Sequence, residues 1–213
     1  MESLDLRVTQ TDFIKKTIHI PKEISALSIN PVIVFTSKTA VDAWIQISNS
    51  LPKEVSKFPI YCLALATKTK ATEHGLNIVG VAPDASSLAD LILENKSITS
   101  VTFVCGNLRR NDFPDKLRSN GIEILEIEAY KTELTPMKVI QPYDGVLFFS
   151  PSAIDSFLST NLKSEVAFCV GKTTADHARL LGFSEIYAAE SPSPESLVQI
   201  VIRYFNLPVH AQK

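Results

Sequence analysis

Residues 31–49, PVIVFTSKTAVDAWIQISN, join a short apolar run to an amphipathic segment, and residues 144–159, DGVLFFSPSAIDSFLS, repeat that order. The β-branched and aromatic run predicts a buried strand, and apolar residues spaced three or four apart predict a helix after it. Further apolar runs at residues 60–66, 101–106 and 166–171 are each followed by a helical pattern. This alternation indicates βαβ units around a mostly parallel sheet, so the predicted fold class is α/β.

Three pairs of segments match each other in the same order and at nearly the same offset along the chain. The pairs are residues 37–44 with 150–157, 62–76 with 169–183, and 87–92 with 196–201. Shared periodicity could produce one such match but hardly three, so the repeat predicts two similar α/β domains.

The repeat also predicts that one domain is inserted into the other, because residues 101–127 have no counterpart after the last helix of the second half. We therefore expect two similar flavodoxin-like parallel-sheet domains joined by a two-stranded β-ladder. The discontinuous domain would comprise residues 1–20 and 136–213, and the inserted domain residues 30–130. Residues 14–20 and 127–134, with β-type alternation, would form the connector strands.

On the same repeat, the discontinuous domain lacks its leading strand-helix unit, which would precede a strand at residues 4–8. We expect a four-stranded sheet there, with an apolar strand edge near residues 146–149 that is exposed or covered by another molecule. Both a monomer and a homodimer stay open at this point.

Composition and charge exclude several classes of protein. The 213 residues are 45% hydrophobic and 21% charged with a net charge of −2, which is typical of a globular domain without a basic stripe for nucleic acid. No apolar run approaches the roughly 20 residues that cross a bilayer, and the polar amino-terminal stretch does not resemble a signal peptide. We expect a cytoplasmic protein that binds neither nucleic acid nor a membrane.

The cysteines and histidines predict no metal site. Cys62, Cys105 and Cys169 each lie in or at the end of an apolar run, which favours reduced, buried thiols, whereas a nucleophilic cysteine would need a setting that lowers its pKa. The four histidines form no ligand spacing with each other or with a Cys-x-x-Cys pair. Neither a metal nor another cofactor is predicted.

Hydroxyl, amide and glycine residues follow the predicted strands, at the edge of a parallel sheet where ligands gather. These candidates are Thr36, Ser37, Thr67, Gly106, Asn107, Ser150, Ser152, Gly171, Thr173 and Thr174. Each of these residues could serve only as the N-cap of the next helix. Because such residues recur in both halves of the chain, we favour two sets of hydrogen-bond donors that face one ligand. Because helix N-termini attract anions without a cationic side chain, the implied ligand is a phosphate or a polycarboxylate. Glycine-rich nucleotide signatures are absent.

The sequence leaves two possible roles open for each of two further residues. Arg109 either clamps a carboxylate or carries a solvated charge at a helix start. Tyr130 either places a phenol in the site or is an ordinary residue of the β-ladder.

Five short motifs occur in an order that resembles the uroporphyrinogen-III synthase family over nearly the whole chain. They are residues 35–37, 105–110, 130–132, 149–153 and 171–175. The resemblance implies two α/β domains joined by a two-stranded β-ladder, with the active site in the cleft between them. It implies cyclisation of hydroxymethylbilane to uroporphyrinogen III, with loss of water, inversion of ring D and no cofactor.

The resemblance also implies roles for single residues and partners. Substrate contacts would come from Thr36, Ser37, Thr67, Gly106, Asn107, Ser150, Ser152, Thr173 and Thr174. Tyr130 would assist departure of the substrate hydroxyl as hydrogen-bond donor or general acid. The implied partners are hydroxymethylbilane and, in a transient contact, porphobilinogen deaminase. One departure is Ala64, where many relatives have glycine.

The alternative function is a non-catalytic two-domain protein that binds a small molecule, which would share the cleft. A flavodoxin-like or regulator module would instead need a phosphate loop or an acidic cluster at the strand ends, where this chain has Thr, Ser, Cys and Gly.

Overall fold

The computed structural model describes residues 7–21, 24, 29–140, 142–164 and 166–206. The chain divides into two units. The larger unit is Lys16–Thr132, and the smaller unit combines Met1–Lys15 with Glu133–Lys213.

The larger unit contains most of a six-stranded sheet with the order β1-β6-β5-β2-β3-β4. Its strands are β1 (Ile14–Ile18), β2 (Ile33–Phe35), β3 (Ile60–Leu63), β4 (Ile78–Ala82), β5 (Ser100–Gly106) and β6 (Glu123–Leu134). Neighbouring strands from β6 through β4 are parallel. The α/β class and the mostly parallel sheet predicted from the alternating pattern are therefore confirmed.

Helices cover both faces of this sheet, because successive residues of a strand point to opposite sides. The helices are α1 (Lys38–Ser48), α2 (Leu65–Glu73), α3 (Ala85–Glu94) and α4 (Asp112–Ser119), with a 3-10 helix at Lys53–Lys57. On one face, Ile33 and Phe35 pack with Trp44 of α1. On the other face, Val34 packs with Leu88 of α3 and Phe113 of α4.

The strand order corrects one prediction for this unit. Counted along the chain from β2, the five parallel strands lie in the order 3-2-1-4-5. A flavodoxin-like sheet has the order 2-1-3-4-5, so the flavodoxin-like topology was wrong here. The reason is that the chain returns from β4 at one edge to β5 beside β2, and this return places the topological switch point between β2 and β5.

The smaller unit has three described parallel strands in the order β7-β8-β9. Its elements are β7 (Val146–Phe148), α5 (Pro151–Leu158), β8 (Val166–Cys169), α6 (Lys172–Leu180), β9 (Glu185–Ala188) and α7 (Pro194–Tyr204). Phe148 packs edge-on against Phe157 and Phe183 beneath α5 and α6. Phe168, on the opposite face of the sheet, packs with Leu197 of α7.

The predicted fourth strand of this unit falls largely on residues that the structure does not describe. Residues 4–6 of that strand lie outside the described residues, and Arg7 and Val8 belong to no strand. Among the described strands β7 is at the edge of the sheet, and Leu147 within it and Phe149 directly after it are exposed.

Candidate functional site

Ser37 lies at the switch point and serves two partners at once. It is the N-cap of α1, and its Oγ accepts a hydrogen bond of 3.1 Å from the backbone N–H of Ala40. The same Oγ lies 3.0 Å from the hydroxyl of Tyr130. A serine hydroxyl has one donor and two acceptor sites, so capping does not prevent this second contact. The N-cap alternative is thus correct for Ser37 but incomplete.

A β-bulge in β6 directs Tyr130 toward Ser37. The pairing of β5 with β6 runs from Cys105 opposite Glu128 to Gly106 opposite Tyr130, so β6 has one extra residue here. Such a bulge re-aims a side chain, and Tyr130 accordingly packs with Ala129 against the α1 side of the sheet. Gly106 makes this possible, because a Cβ at that position would collide with the Tyr130 ring.

The Tyr130 hydroxyl is held in its protonated form. Burial raises the pKa of Tyr130, and the hydrogen bond to Ser37 offsets that rise only in part. A protonated phenol can donate a hydrogen bond to an oxygen that gains negative charge, which is what a departing hydroxyl requires.

The side-chain amide of Asn107 forms hydrogen bonds with the backbone of β6. Its Nδ2 donates to the carbonyl of Thr132 at 3.2 Å, and the backbone N–H of Thr132 donates to its Oδ1 at 2.7 Å. In addition, the backbone N–H of Asn107 donates to the carbonyl of Tyr130 at 3.3 Å. Asn107 therefore fixes the backbone of Tyr130 and Thr132, on either side of Lys131. Its predicted contact with the substrate stays a prediction.

Arg109 is paired with side chains of the protein itself, and its predicted contact with the substrate stays a prediction. Its guanidinium forms an ion pair with Glu126 and a hydrogen bond with Asn111. Glu126 lies opposite Phe103, three residues before Gly106, so this ion pair holds the guanidinium away from the strand end at Gly106. Arg118 shares the same carboxylate. A substrate carboxylate would have to compete with Glu126 for Arg109.

Helix α2 begins without a side-chain cap. Its N-cap is Ala64, with φ 65° and ψ 153°, a conformation that only glycine adopts freely. Ala64 therefore marks a strained helix start. Thr67, in the first turn, is buried with 4% exposure. At this helix start the first backbone N–H groups have no side-chain cap, whereas the Thr67 side chain is buried.

The smaller unit shows the same two kinds of helix start. Ser150 caps α5 by accepting from the N–H of Ala153 at 3.2 Å, and its Oγ lies 3.1 Å from the Oγ of Ser152. Helix α6, the repeat partner of α2, begins at Gly171 without a side-chain cap. Thr173 is exposed in its first turn. Thr174 is buried with 3% exposure.

Ser37, Gly106, Asn107 and Tyr130 come together around the switch point of the larger unit, with Thr36 next to Ser37. Glu126 and Thr132, which contact Arg109 and Asn107, were not predicted from the sequence. No sequence pattern shows which distant side chain a strand residue contacts.

The three cysteines are free and buried, as predicted from their apolar surroundings. Burial raises the pKa of Cys62 and of Cys105 to about 12 and that of Cys169 to about 11. Thiols with such values are poor nucleophiles at neutral pH.

The described residues contain neither a cluster of metal ligands nor a helix that could span a membrane. Over the ranges given above, three or more His, Cys, Asp or Glu side chains nowhere converge in a way that would hold a metal ion. None of the helices in those ranges has the length and apolar character needed to cross a membrane.

The fold and the site together define an α/β protein whose parallel strands end in hydroxyl and backbone donors. The family model described as Uroporphyrinogen-III synthase HemD matches residues 5–199. The chain therefore belongs to the uroporphyrinogen-III synthase family.

Relatives and solved structures bear the same name. The uroporphyrinogen-III synthase of Schizosaccharomyces pombe is 29% identical over 55% of this chain and 50% of that protein. The Saccharomyces cerevisiae enzyme of that name is 33% identical over 35% of this chain and 30% of that protein. The chain thus spans half or less of these curated relatives.

Two crystal structures share the fold. Uroporphyrinogen-III synthetase from Helicobacter pylori has a TM-score of 0.67 at 22% identity, covering 90% of this chain and 91% of that one. A mutant uroporphyrinogen III synthase from the extremely thermophilic bacterium Thermus thermophilus has a TM-score of 0.68 at 15% identity, covering 91% and 87%.

Proposed function

We propose that this protein is a uroporphyrinogen-III synthase that cyclises hydroxymethylbilane to uroporphyrinogen III. The observation that carries the proposal is the Tyr130 hydroxyl, protonated and 3.0 Å from Ser37 Oγ at the switch point of a sheet of this family. Tyr130 would donate a hydrogen bond to the hydroxymethyl oxygen of ring A as the carbon–oxygen bond breaks and water leaves.

After loss of water, the substituted end of ring D is attacked and gives a spiro intermediate. This intermediate fragments and recloses with ring D inverted, so the net change is loss of one water from the bilane. The bilane closes unaided to the type I isomer, and the protein must therefore supply geometry more than reactive groups. Side chains fixed by packing, as Tyr130 is by Gly106 and Ser37, suit that requirement.

Neutral donors would hold the acetate and propionate arms of the substrate. The uncapped starts of α2 and α6 offer backbone N–H groups and the positive end of a helix dipole. The hydroxyls of Thr36, Ser150, Ser152 and Thr173 would complete the set. Thr67 and Thr174 are buried, so we expect them to support the two helix starts rather than touch the substrate.

The domain arrangement and the location belong to the same proposal. We assign residues 1–20 with 136–213 to one domain and residues 30–130 to the other, joined by pairing of residues 14–20 with 127–134. The family resemblance supports a substrate site between them. Three buried free thiols fit the cytoplasm, and porphobilinogen deaminase would supply the bilane in a transient contact.

Complementation tests the proposal in cells. The chain, expressed in a bacterial strain that lacks its own uroporphyrinogen-III synthase, should restore haem-dependent growth, and the Tyr130→Phe chain should restore it less well. An accumulated, folded protein that gives no growth would argue against the activity and favour a non-catalytic binding protein.

A further inference from the structure

Lys38 has no acidic partner among the described residues, although it lies beside the candidate site. It is the first residue of α1 and directly follows Ser37. The carboxylate one turn further along the helix, that of Asp42, forms an ion pair of 2.6 Å with Lys70 instead. A cation in the first turn opposes the helix dipole, so Lys38 is placed where it weakens α1 locally.

Lys16 lies on the same face of the sheet as Tyr130. Two backbone hydrogen bonds of 3.0 Å, from His19 to Ala129 and from Thr135 to Phe13, define an antiparallel register between β1 and β6. In that register Ile18 is opposite Tyr130. Both of these residues pack against the core beneath α1, and Lys16 is the next residue of β1 on that face.

The two ammonium groups act on each other. Partial burial and the charge of Lys38 both lower the pKa of Lys16. Within the described ranges no carboxylate pairs with Lys16 either. The larger unit thus holds two mutually repelling cations, Lys38 directly after Ser37 and Lys16 two residues before the Ile18 that lies opposite Tyr130. An anion bound between them would relieve the repulsion.

We propose that Lys16 and Lys38 together bind one carboxylate arm of the substrate beside the Tyr130 hydroxyl. The inference rests on the proposed function, since acetate and propionate arms are the anions that hydroxymethylbilane presents. Binding at this point would hold the ring that bears the arm within reach of Tyr130. Because the arm takes no part in bond breaking, it is bound equally in the ground state and the transition state, and the contact contributes to affinity more than to the chemical step.

Steady-state kinetics with freshly prepared hydroxymethylbilane test this site in the variants Lys16→Gln and Lys38→Gln. We expect KM to rise roughly tenfold in each, as for loss of one charge-assisted hydrogen bond, with little change in kcat. Lys15→Gln, on the opposite face of β1, is the matched control and should keep the wild-type KM. Lys16→Arg should recover most of the affinity.

Thermal unfolding separates this role from a structural one. Lys38→Gln removes a cation from a helix start, so its Tm should equal or exceed that of the wild type while its KM rises. If wild type is active and both variants keep the wild-type KM, the subsite is wrong and the proposed function stands. If wild type itself forms no uroporphyrinogen III, the proposed function fails first.

Discussion

At the scale of single residues, Tyr130 both packs in the core of the larger unit and contributes a hydroxyl to the candidate site. Its ring fills the space that Gly106 leaves open, while its hydroxyl reaches Ser37. Removing only the hydroxyl should therefore leave the packing intact and remove the group that we propose assists departure of the substrate oxygen.

We predict that Tyr130→Phe lowers the rate of type III formation substantially but not completely, because the geometry of the site remains. Stability should change by about 1 kcal/mol, the net value of one hydrogen bond. Coupled assays and urea unfolding measure the two effects. Tyr187→Phe, which removes a hydroxyl from β9, is the control, and equal activity in both variants would make Tyr130 an ordinary ladder residue.

Ala64 gives a second test at the same scale. Because its φ is +65°, Ala64→Gly should stabilise the protein by about 1 kcal/mol through relief of backbone strain. Ala66→Gly, inside the first turn of α2, should instead destabilise it by about 0.5–1 kcal/mol. Denaturant midpoints compare the two, and destabilisation by both substitutions would contradict the strain at Ala64.

The sequence predicted some of these residues well and others poorly, for physical reasons. Ser37, Gly106 and Tyr130 could be found because strand ends and short motifs are local features. The ion pair of Arg109 with Glu126 could not, since it depends on how a loop folds back over a strand. Burial of Thr67 follows from the direction in which α2 leaves β3, which residue types do not specify.

At the scale of elements, the bulge in β6 and the anchoring amide of Asn107 set the position of Tyr130. The alternation of strands and helices around a parallel sheet was predictable from the apolar runs. The bulge and the order of the strands were not, because both depend on which strands become neighbours.

We predict that Asn107→Ala destabilises the protein by about 1–2 kcal/mol, because it leaves the buried backbone of Thr132 without two hydrogen bonds. Hydrogen exchange of the Thr132 amide should become faster. Asn77→Ala, which removes one exposed bond to the carbonyl of Lys57, should change stability by less than about 0.5 kcal/mol. Lost activity with unchanged stability and exchange would instead assign the Asn107 amide to the substrate.

For the whole molecule, buried thiols predict sensitivity to alkali. Unfolded cysteines lose their protons near the ordinary pKa of 9.0, whereas burial raises the pKa of Cys62 and Cys105 to about 12. Above about pH 9 the native state therefore holds more protons than the unfolded state, and stability falls as the pH rises. Each retained proton contributes up to about 1.4 kcal/mol per pH unit.

Thermal unfolding at pH 8 and pH 10 checks this effect. The wild-type Tm should be lower at pH 10, and the difference should shrink when Cys62, Cys105 and Cys169 are replaced by alanine. A pH dependence that the triple variant leaves unchanged would show that other groups dominate it.

The isomer of the product tests the central claim most directly. Purified protein is mixed with hydroxymethylbilane made by porphobilinogen deaminase, and the products are oxidised and separated as type I and type III uroporphyrins. Unaided closure gives the type I isomer, so we predict a predominance of type III that requires this protein. A product that remains type I at all protein concentrations would contradict the assignment of synthase activity to this chain.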